Sequence, residues 1–535
     1  MKLNVKPQGG KGKNLAIAVL AVVAAVCVVF CVLTMTTDLF VPAREQATLV
    51  LYEGPKPIAA STAATMKVDG HELFVYDTAV NNSYSWSDSY RPMLSTAPVT
   101  SFDFDGGSVT MEITVTGQTE LHSVVVRPRS KNIVPIVRGN VITFPIAEPD
   151  IYTVEYNDDA TTAMHIFANA IDYDAPTEST DTVKYIGPGA WRIDSMVLSD
   201  GMELYISGGA VVQGVISGTN ASHMKIGGHG FLDGSHHESW MIEGSAYVPI
   251  SLSNCEDVRV SGVALLNSNA WCLNIYDCDN VAVDGVKIIS ARPNGDGITI
   301  QSSRDITVTG GFVRTWDDSL VIKNYSSEPD SDSANITFDG CQIWTDLAQS
   351  MEIGYETNKG SKENPTIQNV TFRNITVLHN FHKPVMSIHN ADNCAVSNIR
   401  YQNIVVEDAS MGKGDAGSNN QLIDLNTLGN SNWSSTLTRG TIDNVVFDGI
   451  YVLDGDDGAD SIEGNLCSIR IYCDSKSALC GNVTVNNLFI LGEPITDETV
   501  LDNPSTLIGK NTENIRFTSD GTLPESIAAL MAQHD

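Results

Sequence analysis

A chain of 535 residues that is 42% hydrophobic, with 43 glycines and no low-complexity stretch, is long enough to bury a large core. Its formal net charge of -32 repels phosphate backbones and anionic headgroups. That argues against nucleic-acid partners, and against a densely anionic polymer unless a local basic cleft intervenes.

Residues 1–14 form a basic tail carrying Lys2, Lys6, Lys11 and Lys13, and Leu15 to Leu33 is an uncharged apolar run of 19 residues. That length spans a bilayer. A cleaved secretory signal has a shorter apolar segment and small residues at the cut, whereas this run continues into Thr34-Met35-Thr36-Thr37-Asp38. Residues 15–35 are therefore expected to be an uncleaved signal-anchor, with the lysines cytoplasmic and the rest of the chain outside the cell. Cys27 and Cys31 lack the preceding small residue of a lipoprotein cleavage site.

From about residue 45 to 175 the sequence alternates over longer segments, such as Ser108 to Val115 and His122 to Arg127, separated by polar turns. This predicts an antiparallel β-sandwich whose role is to cap the open end of a repetitive region that begins near residue 180. Trp86 and Tyr90 are its candidate glycan contacts, although core or surface packing is the more ordinary fate of such rings.

Between residues 180 and 519 the chain repeats. The residues preceding each recurring apolar pair are Asp257, Asn280, Asp305, Asn335, Asn369, Asn393, Asn444, Asn482 and Asn514. The units read alike: Asp257-Val-Arg-Val-Ser-Gly262, Asn280-Val-Ala-Val-Asp-Gly285, Asp305-Ile-Thr-Val-Thr-Gly310. Each is a short alternating strand closed by a turn, and none can bury its apolar side alone. Stacking solves that problem, with about three strands per coil and coils about 4.8 Å apart. The expected body is a parallel β-helix. The Asn and Asp residues suit a left-handed turn and a side-chain ladder between coils, which is a structural role. Residues 520–535, including Pro524 to Met531, read as a short capping helix.

Outside the apolar run lie Cys255, Cys272, Cys278, Cys341, Cys394, Cys467, Cys473 and Cys480. Cys255 and Cys278 are equivalent in neighbouring repeats and read as stacked small hydrophobes. Cys473 and Cys480 are close enough in sequence to close a loop disulfide. His236-His237 and the other histidines show no ligand spacing that recurs with the cysteines, so no metal and no cofactor is expected. Sequons such as Asn335-Ile-Thr337 fall in predicted core strands where a glycan has no room, which leans towards a bacterial chain.

Asn294-Gly295-Asp296-Gly297 and Trp316-Asp317-Asp318 stand one repeat apart, so the fold itself brings three carboxylates onto one surface. Either motif alone is an ordinary turn. Together they supply what glycosidic cleavage needs: an acid for the leaving oxygen and a base for water on the opposite face. The next repeat adds Gln349 and Glu352, whose neighbours Met351 and Ile353 should point inward. Trp316 and Tyr355 are candidates to stack on sugar rings, Lys323 and His389 to bond hydroxyls, Arg292 to do either, and Asn294 to bind substrate in the same cleft.

These strings resemble those of the clan uniting the polygalacturonase family with the dextranase and isopullulanase family of glycoside hydrolases. Asn294-Gly-Asp-Gly-Ile-Thr-Ile300 is similar to that clan's Asn-Thr-Asp-Gly strand, and Asp317-Asp-Ser-Leu-Val-Ile-Lys323 to its Asp-Asp strand. Gly228-His-Gly-Phe-Leu-Asp-Gly234 resembles a glycine-rich segment near the start of these solenoids. The resemblance covers about residues 180 to 500, and a preceding sandwich is reminiscent of the dextranase branch. It implies a right-handed parallel β-helix and an inverting hydrolase with Asp317 as general acid and Asp296 and Asp318 activating water.

Two departures bear on substrate. The family's Gly-His-Gly is replaced by Ala348-Gln349-Ser350, and its uronate-gripping Arg-x-Lys by Met386-Ser-Ile-His-Asn390. The expectation is thus a membrane-anchored, monomeric hydrolase of a neutral α-linked polysaccharide. A pectin hydrolase, a non-catalytic β-helix adhesin and a calcium-dependent lyase stand behind it.

Overall fold

The computed structural model describes residues 47–82, 93–325, 332–359, 363–380, 382–409, 421–430, 432–454, 468–502 and 506–533. The apolar run, Trp86, Tyr90 and Cys467 lie outside them. Among the described residues no helix is long and apolar enough to cross a membrane.

The described residues are nearly all β, and most of them form one sheet of 29 strands running from Val183–Ile186 to Thr512–Thr518, parallel except where Glu493–Ile495 pairs antiparallel with Cys480–Ile490. From residue 225 to 345 each coil has three strands; in the first two coils side and front strands run on as one, Gly189–Leu198 and Ala210–Thr219. The front strands include Leu273–Tyr276, Ile298–Gln301, Leu320–Lys323 and Met351–Tyr355; the back strands Glu256–Ser261, Asp279–Asp284 and Arg304–Thr309; the side strands Ala264–Leu266, Lys287–Ile289, Phe312–Thr315 and Gln342–Thr345. Each pairs in parallel with its counterpart one coil on, in register. Later coils depart from the three-strand expectation. Back and side strands merge into single strands such as Thr366–Asn380 and Ala395–Val406, with Asn374 and Asn403 in the left-handed region where the turn would have been.

Register turns sequence position into rows. Leu273, Ile298, Leu320, Met351, Met386, Ile423 and Ile469 form one buried row of the front wall, and Ile275, Ile300, Ile322, Ile353 and Ile388 another. On the back wall Phe338, Phe372, Tyr401 and Phe447 stack face to face with centroids 4.9, 5.0 and 4.7 Å apart, the spacing of neighbouring strands.

The Asn ladder forms as anticipated. Asn335 donates to Asp305 (2.9 Å), Asn369 to Asn335 (3.0 Å) and Asn514 to Asn482 (3.0 Å), all with positive φ. One register differs: the ladder passes through Asn398, which donates to Asn369 and accepts from Asn444, and Asn393 is not part of it. Asn398-Ile399-Arg400-Tyr401 has the same alternation five residues later, and it is the unit whose apolar pair meets Val370 and Phe372. Cys255, Cys272, Cys278, Cys341 and Cys394 are buried thiols, the Cys278 sulfur accepting from the Cys255 amide, and Cys473 and Cys480 form a disulfide.

Residues 48–170 form two sheets that share a core containing Met66, Phe104, Ile113, Phe144 and Ile166. Their pairing is antiparallel except that Asp159–Ala170 runs parallel to Ser95–Asp105. This pair of sheets does not cap an end of the solenoid as expected; it lies against its side wall. Tyr76, Val99, Ile151 and Phe167 pack on Phe231, Leu266, Ile289, Phe312 and Trp344. The reason is alternation: Ile166 and Ala168 face the other sheet, which leaves Phe167 facing outward to be buried on the solenoid. The helix Glu525–Met531 likewise covers a flank, on Tyr451, Leu453 and Phe489.

A buried ionic joint completes the contact. Arg127 bonds Glu155 (2.9 Å) and Glu407 (2.8 Å), His379 bonds Glu155 (2.8 Å) and Asp408 (2.6 Å), and burial is offset by these opposed charges. Arg127→Ala should leave Glu155 and Glu407 buried with a partner missing. It is expected to remove about 3–5 kcal/mol of stability, read by denaturant unfolding, with little change in the solenoid's circular dichroism.

Candidate active site

The turn from side strand to front strand carries the acidic motifs. In the coil of residues 287–301, Asn294 takes φ 55° and Gly295 and Gly297 have no room for a side chain: a Cβ would lie 2.6 Å from the Arg292 carbonyl oxygen and 2.5 Å from that of Ser319. The Asn-Gly-Asp-Gly string is thus a backbone requirement as well as a chemical one. Beneath it runs a hydroxyl ladder, Thr315 to Ser319, Ser319 to Thr345, Thr345 to Ser350, and Ser350 to Asn380, each contact 2.7 Å. It ties together three successive coils under the site.

Register puts Asp296, Asp318 and Gln349 in one row, two residues before Ile298, Leu320 and Met351, with Asp317 beside them. The three aspartates are buried, and their bonds keep them apart. The Asp317 carboxylate accepts from the Asn294 amide (2.7 Å) and the Asp318 amide (3.0 Å), and Asp318 accepts from the Gln349 amide (3.1 Å). Asp296 meets Lys323 Nζ at 3.4 Å through Oδ2, while its Oδ1 is buried with no hydrogen-bond partner among the described residues. Lys323 also meets Glu356 at 3.4 Å.

One ammonium faces four carboxyl groups here, so they cannot all ionise at ordinary cost. Burial and then the neighbouring Asp296 push the Asp317 carboxyl up to about 7. Burial and then Asp317 push Asp318 well above the carboxylate range, and burial raises Asp296 although Lys323 opposes it. Burial acts against the Lys323 charge, but Glu356 and Asp296 outweigh it and hold the ammonium protonated. The cluster stores a proton near neutrality, shared among groups that titrate together.

The remaining candidates divide. Gln349 is at the site, its amide on Asp318 and its Nε2 3.4 Å from His389 Nδ1. Tyr355 is half-buried and lies flat on the His389 ring, centroids 4.4 Å apart at 13°. Asn294 is fixed by its amide bond to Asp317 and by the Trp240 indole on its Oδ1 (3.3 Å). Arg292 is half-buried and donates to the His237 carbonyl. Trp316, in contrast, is 1% exposed and offers no face to a sugar, since the side strand turns it into the protein. Glu352 points away from the aliphatic core as alternation demands, but it is covered and bonded to Ser387 and to His389 (2.8 Å). His389 is engaged on both nitrogens, by Glu352 and by Asp424 (2.9 Å), which hold it protonated up to about 10 against its burial. Neither bonds substrate hydroxyls in this arrangement; they are a charged brace between coils, continued by Arg470 on Asp424.

Sequence reading missed Glu356, Trp240 and Arg470. Glu356 follows Tyr355 directly and had a signal in its place at the end of a front strand. Trp240 lies in residues 234–249, inserted between Phe231–Asp233 and Ile250–Ser253, and nothing in its local pattern shows that the insertion folds back onto Asn294.

Residues 202–497 match the family described as Glycosyl hydrolases family 28, more than half of the chain. The chain belongs to that family. Among curated relatives it is 25% identical over 158 residues to a probable polygalacturonase of Arabidopsis thaliana, covering 29% of this chain and 33% of that one. It is 26% identical over 212 residues to a probable endopolygalacturonase D of Neosartorya fischeri, covering 36% and 42%. The matches thus span a third to under half of those relatives. Among solved structures, Dex49A from Penicillium minioluteum superposes with a TM-score of 0.54 at 15% identity, over 87% of this chain and 96% of that one, a likeness of fold.

The raised Asp317 sets a sign for stability. Its ordinary pKa is about 3.9, so folding favours its protonated form; that contribution is whole below about pH 4 and is lost as pH rises through about 7. Asp317→Asn should therefore raise stability at pH 8 by on the order of 2 kcal/mol and change little at pH 4, as read by thermal unfolding at both pH values.

Proposed function

We propose that this chain is an inverting glycoside hydrolase of a neutral α-linked polysaccharide, anchored to the cell membrane with its body outside and acting as a monomer. The carrying observation is the row of buried carboxyls on adjacent coils, one of which holds its proton near neutrality. In this reading Asp317 protonates the leaving oxygen. Asp296, held against Lys323 and with its unpartnered Oδ1, takes the proton of the attacking water, which Asp318 helps to hold. Gln349 positions Asp318, Lys323 fixes Asp296, and Tyr355 and Arg292 border the sugar.

The neutral substrate is favoured by charge pairing. Lys323 is occupied by Asp296 and Glu356, Arg470 by Asp424, and His389 by Glu352 and Asp424. A uronate carboxylate entering beside four carboxyl groups would have to displace one of these partners or rely on Arg292, which is held by the His237 carbonyl. The names of the curated relatives favour the second reading, a polygalacturonase-like pectin hydrolase. The membrane anchor rests on Leu15 to Leu33 alone.

Reducing-sugar release from dextran, pullulan, arabinan and polygalacturonate separates these readings. Release from a neutral glucan is expected, falling about 10²–10⁴-fold in Asp317→Asn, with an alkaline limb near pH 7 in the parent. Release from polygalacturonate alone would install the pectin reading. Binding without release from any of them would make the chain an adhesin.

A further inference from the structure

The solenoid and the two-sheet domain leave a trough where they meet, on a different edge of the coil from Asp317. The acidic site lies at the turn from side to front strands; the trough lies at the turn from back to side strands. It encloses about 540 Å³. Its floor is a glycine from each of four successive coils, Gly228, Gly262, Gly285 and Gly311, and its wall is the end of the Asp159–Ala170 strand with the residues just beyond it. Backbone geometry explains the glycines, all of positive φ. Their effect is a floor bare of side chains over three coil spacings, roughly 14 Å.

One residue in this trough is not explained by packing. Lys287 is 6% exposed and sits in the side-wall row between Ala264 and Phe312, where a methionine would fill the same space without desolvating a charge. Its partners are neutral: the Asn169 side-chain oxygen at 2.6 Å and the Gly262 carbonyl at 2.9 Å. An ammonium has three donors, so one remains for the trough. Burial pulls Lys287 down to about 8, although the more distant carboxylates of Asp103, Asp150 and Asp284 oppose it.

His229 borders the same glycine, its Nε2 lying 3.3 Å from where a Gly262 Cβ would stand. Its Nδ1 is held by the Asp103 carboxylate at 2.8 Å, and that carboxylate also accepts from Tyr52 and Asn169. The Asp103 carboxylate thereby orients the ring, with Nε2 on the side of the glycine floor. The trough thus sets a buried N–H donor and an imidazole nitrogen around one bare glycine.

A pair of sugar hydroxyls suits such neighbours, since each hydroxyl both gives and receives and meets the ring nitrogen in either role. A phosphate or carboxylate would meet a lining in which two cations, Arg259 and Lys287, face three carboxylates, Asp150, Asp172 and Asp284. We propose that this trough is a second saccharide site, binding a neutral stretch of glycan along the glycine floor, apart from the acidic site and whether or not that site is catalytic.

The test is titration of the full chain in detergent, carrying Asp317→Asn so that nothing is cleaved, with isomaltohexaose, followed by calorimetry for the number of sites. Ser261→Trp, at a half-buried position that lines the trough and points outward from the back strand whose Val258 and Val260 face the core, plugs the trough; Lys287→Met removes the buried donor. Two equivalents falling to one with Ser261→Trp, and at least a tenfold weaker second event with Lys287→Met, is the expected result. One equivalent falling to none with Ser261→Trp would support the trough while removing the acidic site as a saccharide binder. A site count unchanged by Ser261→Trp, or no binding in the parent, would overturn the proposal. In the chain with Asp317 intact, Ser261→Trp should leave hydrolysis of a short soluble substrate within twofold of the parent.

Discussion

Every feature of this molecule descends from one constraint: parallel strands must hydrogen-bond in register at a fixed spacing of about 4.8 Å, coil upon coil. Once that holds, a residue's address within its coil decides its neighbours. An aliphatic address becomes a wall of Leu, Ile and Met, an aromatic one becomes the stack from Phe338 to Phe447, and an asparagine address becomes a ladder. The same rule concentrates charge. Aspartates that would be harmless on separate turns are forced into one row, and their mutual repulsion raises the proton affinity of Asp317.

That repulsion is kept by surroundings that could relieve it only at another cost. Lys323 neutralises part of the cluster, yet it is itself drawn towards Glu356. The amides of Asn294, Asp318 and Gln349 hold the carboxylates of Asp317 and Asp318 in place without adding positive charge, and the hydroxyl ladder beneath prevents the turns from spreading. A site of this kind trades some of the fold's stability for a proton kept in reserve.

How much of this the sequence disclosed depends on the range of each interaction. The solenoid and the aspartate row were legible because they arise from periodicity, which is local and repeats. The same logic correctly sent Met351 and Ile353 inward, and it named Gln349. It erred on Trp316, whose side-strand end turns it inward, and on His389 and Glu352, which are covered by Ser387, Asp424 and each other. Those errors share a cause: alternation tells which way a side chain leaves the core, not what lies on top of it. Asn393 was mistaken for the ladder residue because two apolar pairs five residues apart satisfy the same pattern. The placement of the two-sheet domain was not legible at all. Its contacts join Arg127 to Glu407 and Lys287 to Asn169 across more than a hundred residues, and neither partner carries a local mark of the other.

The lateral docking changes what kind of object the solenoid is. A stack of repeats in which each unit touches only its neighbours loosens from its ends, one layer at a time, and its stability is a sum of local terms. Here a rigid slab is fastened along the flank from Val211 to Leu378 and pinned at Glu407, so layers far apart in the stack share a common splint. The middle of the array cannot slip or unzip without tearing the slab away. The acidic turns at Asp296 and Asp317 fall within the splinted span, and so the geometry of the row is guarded by a domain fastened to the neighbouring side wall.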